Sequence, residues 1–399
     1  MSRLAARCVL LEPGRELSPG EIVWDRDGRI TALRRPTGPV ADLCVLPGLV
    51  NAHVHLQIEP VEAPRTFLPW ISAVMAARAG QTPRAARAAV RTAVQTLRAD
   101  GVTAIGEIDS TGQSLAALAG TDLAGRCYQE LVGFDADAAA ARALVRARHR
   151  AGTPALAGGL SPHAPYSVSG RLFAAAAAAS RHLAVHCAEV PEEQQFLHSG
   201  RGPFADLLRA LGKLPANWRA PRLGAVAWLE HLGVLRRSTQ LVHCQELERP
   251  DAARIAAAGA SIVVCPGTIA WFGRPIPPVP RWLAAGIPVA LGTDSRASNA
   301  QFSLRAELQT AARWWPGLSP AELLRLATCH GGRSLGRPGL GRLRRGGRAD
   351  LLALPARTDA AADHVAPFVH GELAPAFVLA RGVRYSVEPP ARRPYSDRP

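Results

Sequence analysis

Short apolar runs alternate with longer segments of helical periodicity along most of the chain. The runs read as strands at Val45 to Leu56, Val102 to Ile108, Arg126 to Phe134, Ala155 to Leu160, His182 to His186, Gln240 to His243, Ala260 to Cys265 and Ile287 to Leu291. Between them, Ala85 to Arg98, Asp137 to Arg148, Gly170 to Arg181, Asp251 to Ala258, Arg281 to Ala285 and Leu304 to Trp314 read as helices, with helix starts at Glu192 and Ser319. The stretch after His198, through Trp218 to Pro221, reads as irregular. Eight short strands separated by helices predict parallel βαβ units. That count predicts an α/β fold, a TIM-type (β/α)8 barrel, whose active site lies at the C-terminal strand ends.

The two flanks have a different pattern. Cys8 to Val23 and Arg29 to Leu33 alternate like short antiparallel strands, and so do Asp350 to Leu354, Ala376 to Leu379 and Val383 to Ser386. They are expected to join as one small β-sandwich domain beside the barrel. The division predicted is 1–46 and 341–387 for the small domain, 47–340 for the barrel, and a loose Pro- and Arg-rich tail over 388–399.

Composition narrows the class. The chain has 399 residues, 48% of them hydrophobic, enough for a large core. No apolar run approaches the ~20 residues of a membrane helix, so no membrane partner is expected. Met1 to Leu11 has no long apolar stretch or small-residue cleavage site, so no export signal is expected there, and the seven cysteines form no Cys-x-x-Cys. A reduced cytoplasmic protein is the simplest reading. The formal charge of +15 comes almost wholly from arginine, with Lys213 the only lysine. Arginine is spread along the chain and no helix-turn-helix or finger accompanies it, so no nucleic-acid partner is expected. A homodimer is left open.

Candidate chemistry sits at the predicted strand ends. His53 and His55 are two residues apart, so in a strand they project to one side. Such a pair can grip one divalent cation. Alone it is more often two ordinary buried histidines. Here it is followed in order by His163, His186-Cys187-Ala188-Glu189, His243-Cys244 and Gly292-Thr293-Asp294-Ser295, each closing an apolar run. Five stations in that order point to one metal site assembled across a barrel. Asp294 alone would equally suit a turn or cap. Glu189 alone could be a helix N-terminal acid, and His163 a hydrogen-bonded structural histidine. Glu107 and Glu130, near the ends of strands two and three, could touch a ribose but read more simply as solvent-facing acids. Trp70 and Trp271 suit stacking on a substrate ring as well as they suit packing.

With these stations, the chain resembles the amidohydrolase superfamily, in its branch of nucleoside deaminases and triazine hydrolases. The resemblance extends to Gly341-Arg342-Leu343-Arg344-Arg345-Gly346-Gly347-Arg348-Ala349-Asp350-Leu351, similar to the family's return into its β domain. Pro162-His163-Ala164-Pro165-Tyr166-Ser167-Val168 and Phe67-Leu68-Pro69-Trp70-Ile71 look most like aminofutalosine deaminases, and methylthioadenosine and adenosylhomocysteine deaminases are similar. The resemblance implies one Zn2+, or Fe2+, held by His53, His55, His186 and Asp294. It implies Glu189 as proton shuttle, Asp294 as acceptor of the water proton, His243 beside the reacting centre, and His163 as a contact of a small-molecule substrate. Binuclear members commonly carry a lysine at the end of strand four. Here that strand ends in Ser161-Pro162-His163, which implies a mononuclear site. One departure is Cys265-Pro266-Gly267-Thr268-Ile269-Ala270-Trp271-Phe272-Gly273, where relatives often have Arg or Thr, Ser and Asn after Cys-Pro.

The activity this implies is removal of the 6-amino group of an adenine-type nucleoside. The alternatives are hydrolysis of a chloro-triazine, guanine or a cyclic amide at the same site, and a catalytically dead barrel serving as a scaffold.

Overall fold

A computed structural model describes residues 1–387; the tail expected over 388–399 lies outside them. The barrel strands follow the chain in order: Leu49–His55, Val102–Asp109, Ala124–Leu131, Leu156–Pro162, Leu183–Cys187, Thr239–His243, Ser261–Val264 and Val289–Leu291, then a short continuation Asp294–Ser295. Neighbours in this order are hydrogen-bonded and parallel. The eighth strand is split. Its first piece pairs with Ser261–Val264, while Asp294 and Ser295 pair with Val54 and His55 of the first strand. The Thr293 amide also donates to the His53 carbonyl at 3.0 Å. The parallel sheet therefore curls back to its own start, as in a TIM-type barrel. Gly292 makes this approach feasible: a Cβ there would lie 2.8 Å from the His53 carbonyl oxygen.

Helices cover the sheet, and their ends obey local rules. Asp137 caps Ala138–Arg148 by accepting from the Ala139 and Ala140 amides. Ser319 and Glu322 form a capping box at the start of Pro320–Leu326. Pro191 opens Pro191–Ser199, Glu192 and Glu193 occupy its first turn, and Gly200 closes it at φ +71°.

Several sequence expectations need correction. Val45 to Leu56 is not one strand. Ala41–Pro47 joins the small sheet and Leu49–His55 the barrel. The chain changes sheets at Gly48, where a Cβ would strike Thr103 Oγ1 at 2.2 Å. The stretch read as irregular contains helices Pro203–Ala210 and Ala225–His231. Trp218 belongs to the packing there, stacking on Phe196 with centroids 4.7 Å apart. Helices Phe67–Ala79 and Pro266–Phe272 were also not anticipated. The first is apolar on all sides and so carries no periodic signal.

The flanking strands form one eight-stranded sheet from both chain ends. It is not wholly antiparallel, because Ser2–Glu12 and Ala41–Pro47 run parallel with Cys8 opposite Cys44. Ala6, Val9, Ile22, Trp24, Ile30, Val45, Leu351 and Ala353 gather into a core of their own. Cys8, Leu10, Cys44, Leu46 and Leu352 belong to the large core shared with the barrel. Cys8, Cys44 and His364 lie together and buried. His364 Nδ1 donates to the Ala360 carbonyl and Nε2 accepts from the Arg357 amide. Both ring nitrogens are thus satisfied by backbone, and the trio is packing. All seven cysteines are buried and free. Among the described residues no helix is long and apolar enough to cross a membrane.

Candidate active site

Each candidate histidine and acid sits at the C-terminal end of a barrel strand or just beyond it, while Trp70 and Trp271 lie on the helices Phe67–Ala79 and Pro266–Phe272. His53 and His55 end the first strand, His163 follows the fourth, His186 is the penultimate residue of the fifth, His243 ends the sixth and Asp294 lies on the split eighth. The strand ends are bent. Ala188, His243, Cys244 and Asp294 have φ of +50°, +76°, +53° and +56°. Left-handed backbone at non-glycine residues costs on the order of 1 kcal/mol each and collects at functional sites. Here it turns the side chains over the mouth of the barrel.

The ring nitrogens of His53, His55 and His186 can be grouped within 4.8 Å of one another, and all three residues are buried. Asp294 Oδ1 lies 3.8 Å from both His53 Nε2 and His55 Nε2. His55 Nε2 and His186 Nε2 face each other at 3.3 Å. Among the described residues neither ring nitrogen of His53 has a hydrogen-bond partner, nor has His55 Nδ1. Buried polar atoms without partners cost about 1–3 kcal/mol apiece unless a ligand satisfies them. His186 is oriented by its Nδ1 donating to the His163 carbonyl at 3.0 Å, which leaves Nε2 facing the other two rings.

Electrostatics suit cation binding. Burial, reinforced by the neighbouring histidines, pushes His53 well below the ordinary histidine range. Burial brings His55 down to about 4 despite Asp294. Neutral imidazoles are the ligand form. Burial opposes the charge on Asp294, but His243, His55 and His186 outweigh it and hold its carboxyl low. Three imidazoles and a carboxylate are a donor set for a borderline divalent ion. Lys213 is remote from this set in kind and place: it pairs with the exposed Asp135 at 2.9 Å.

Around this centre stand the proton-handling candidates. Glu189 Oε1 lies 3.8 Å from His243 Nε2. The Glu189 amide donates to Glu193 Oε2 at 2.9 Å, so the first turn of the following helix fixes the Glu189 backbone. The His163 ring stands 4.7 Å from the His186 ring, and its Nδ1 is within 2.7 Å of Ser167 Oγ. Burial, then His186, lowers His163 to about 3.

Glu107 and Glu130 are buried, not solvent-facing. Glu130 pairs with Arg78 at 3.1 Å. Burial opposes its charge, but Arg78, His163, His55 and His186 outweigh it and hold the carboxyl at about 2. Glu107 instead accepts from the Leu56 amide and from Ser114 Oγ, bracing the chain just past His55. Trp70 and Trp271 meet each other at 6.4 Å. The Trp70 indole donates to the Ala297 carbonyl at 3.0 Å. With Phe67 and Phe272 they form an aromatic group, which reaches the site through Arg274.

Sequence reasoning missed Thr268, Ser298, Arg274, Gln245 and Glu193. Thr268 lies in the loop that departs from the expected pattern, which was a signal. Arg274 is one arginine among many and gave none.

The amidohydrolase family profile matches residues 44–381. The chain belongs to the amidohydrolase family. Among amidohydrolases, the aminodeoxyfutalosine deaminase of Deinococcus radiodurans is 35% identical over 325 residues, 74% of either chain. The 5-methylthioadenosine/S-adenosylhomocysteine deaminase of Moorella thermoacetica is 28% identical over 79% of this chain and 74% of its own. The fold is that of a zinc-bound adenosine deaminase from Xanthomonas campestris, with a TM-score of 0.77 at 21% identity, covering 98% of this chain and 94% of that one. The family is metal-dependent, and the buried, unpartnered imidazoles facing Asp294 fit that requirement.

Proposed function

We propose that this amidohydrolase is a deaminase that removes the 6-amino group of an adenine-type nucleoside of the aminofutalosine, methylthioadenosine or adenosylhomocysteine class. The observation that carries the reading is the meeting of the His53, His55, His186 and Asp294 donor set with Glu189 and His243. This is one cation site with acid–base groups beside it. The similarity to two deaminases of such nucleosides supports the substrate class.

One divalent ion, Zn2+ or else Fe2+, would be held by His53, His55, His186 and Asp294. When bound it supplies a water acidic enough to act as a nucleophile near neutral pH. Asp294 accepts the proton that the attacking water gives up. Glu189 moves a proton to the ring nitrogen and then to the departing amine. His243 offers a ring N–H to charge developing at the attacked carbon. His163, whose ring lies beside that of His186, and the buried Glu130 bind polar groups of the nucleoside. Trp70 and Trp271 wall the entrance with aromatic surface.

Within the same proposal, residues 1–46 and 341–387 make a small sandwich-like domain and 47–340 the catalytic barrel. The distribution of strands between the two sheets supports this division. Seven free cysteines are compatible with a reducing cytoplasm.

The test is a substrate panel read by the ultraviolet change from adenine to hypoxanthine, with ammonia measured in parallel. Turnover of at least one 5′-substituted adenine nucleoside is expected, with a higher kcat/KM than for adenosine. Turnover confined to guanine, a triazine or a cyclic amide would overturn the substrate assignment.

A further inference from the structure

Arg274 has no role in the proposed reaction, yet it is the guanidinium that touches Glu189. Its Nη1 donates to Glu189 Oε1 at 3.0 Å and to Gln245 Oε1 at 3.2 Å. Both ends of this ion pair are shielded, the Arg274 side chain being 12% exposed and that of Glu189 5%. The guanidinium carbon lies 4.2 Å from the centre of the Phe272 ring and 5.1 Å from that of Phe67. It is therefore held on two aromatic faces as well as by hydrogen bonds. Gln245 is neutral, and Glu189 is the carboxylate with which Arg274 pairs among the described residues.

We propose that Arg274 is a positioning residue for the reaction, acting through Glu189. The inference rests on Glu189 being the proton shuttle. A shuttle must present one oxygen in a fixed direction and must return to the carboxylate form in every turnover. The geometry provides both. Arg274 and His243 occupy Oε1, while Oε2 makes no hydrogen bond to the protein among the described residues. Rotation about the last side-chain bond would exchange the two oxygens, and the Arg274 bond opposes it. The Glu193 bond to the Glu189 amide fixes the backbone of the same residue. Glu189 is thus held at both ends by groups that touch nothing else in the proposed machinery. The cation beside it also stabilises the negative charge that remains after the proton has left.

A charged guanidinium over two phenylalanine rings also ties the shuttle to the loop after the seventh strand. Arg274 follows immediately on the helix Pro266–Phe272 and its Gly273 cap, the segment that departs from the pattern expected of relatives. Substitutions in that loop would then reach the chemistry through the direction of Glu189 and not only through the shape of the pocket.

A double-mutant cycle tests this on the metal-replete full-length enzyme with whichever substrate it turns over. R274M should lower kcat by roughly ten- to a hundredfold with KM changed little. R274K, which keeps the charge but loses the planar fork, should recover part of it. The decisive arm is R274M placed in an E189Q background, where it should cost nothing further, because the residue through which Arg274 acts is already disabled. Guanidinium ion added to R274A should restore activity in a saturable way. Additive losses in the double variant, or full activity in R274M, would overturn the proposal. If E189Q itself keeps full activity, it is the shuttle assignment that falls. Should R274M fail to fold, the R274K comparison and the guanidinium titration of R274A, each with a melting curve, decide the same point.

Discussion

Thr268 Oγ1 donates a hydrogen bond to Asp294 Oδ2 at 3.1 Å. Ser298 Oγ donates to the same oxygen at 3.1 Å. Two hydroxyls thus hold one oxygen of the carboxylate, and the other, Oδ1, is left 3.8 Å from both His53 and His55. The loop after the seventh strand therefore reaches the donor set without contributing a donor itself.

Removing that hydroxyl should loosen Asp294 without touching the histidines. Thr268→Val keeps the volume and loses the donor. We expect metal affinity to fall by roughly ten- to a hundredfold, the usual consequence of deleting a partner of a metal ligand. Competition with a chelator of known affinity measures it, and affinity equal to that of the parent would count against the proposed role of Asp294.

The donor set itself predicts one tightly bound divalent ion per chain in the barrel. The His53→Ala, His55→Ala double variant should lose it, because two of four donors are gone. Elemental analysis gives the stoichiometry. An active, metal-free enzyme would refute the reading, and two ions per chain would favour a two-metal site without a bridging lysine.

Glu189→Gln keeps shape and removes the transferable proton. Its metal content and melting temperature should match the parent while kcat drops by roughly a hundredfold or more. Loss of metal in this variant would instead make Glu189 a ligand or a structural residue.

Glu193 predicts a pH dependence of stability. Burial raises its carboxyl to about 8, against the opposing bond from the Glu189 amide. Its Oε1 is buried with no partner among the described residues, so the proton has a place to sit. Because the folded value is raised, the native state binds more protons than the unfolded chain between pH ~4.5 and ~8. The contribution of Glu193 is fully present below that window and is lost as pH rises through it, at about 1.4 kcal/mol per pH unit at most. Glu193→Gln imitates the protonated acid and has no such slope. Urea unfolding across pH 5 to 9 should therefore show the variant gaining on the parent as pH rises. A constant difference would show that Glu193 is ionised throughout.

The sequence by itself determined the parts that local rules govern. Short apolar runs closed by His53-x-His55, His186, His243 and Asp294 placed these side chains at strand ends, and alternation put His53 and His55 on one face. Asp137 and Ser319 marked helix starts because a side-chain oxygen must satisfy the first free amides. The helix Leu304–Trp314 was read to the residue. Tertiary structure decided what contacts between distant segments govern. The switch of sheets at Gly48 depends on Thr103 across the gap. The closure of the barrel depends on the eighth strand breaking after Leu291 so that Asp294 meets Val54. Phe67–Ala79 buries only Phe67, Trp70 and Val74, but its exposed positions are mostly apolar or alanine too, and that erases the polar–apolar contrast that would have announced a helix. Glu107 and Glu130, exposed on the simplest reading of their sequence, are buried because Ser114, the Leu56 amide and Arg78 supply the partners that a carboxylate needs away from water. Arg274 looks like any other arginine until the fold lays it across Phe67 and Phe272 with its Nη1 on Glu189. Partners brought together from separate segments of a chain leave no local trace, and only packing assigns them.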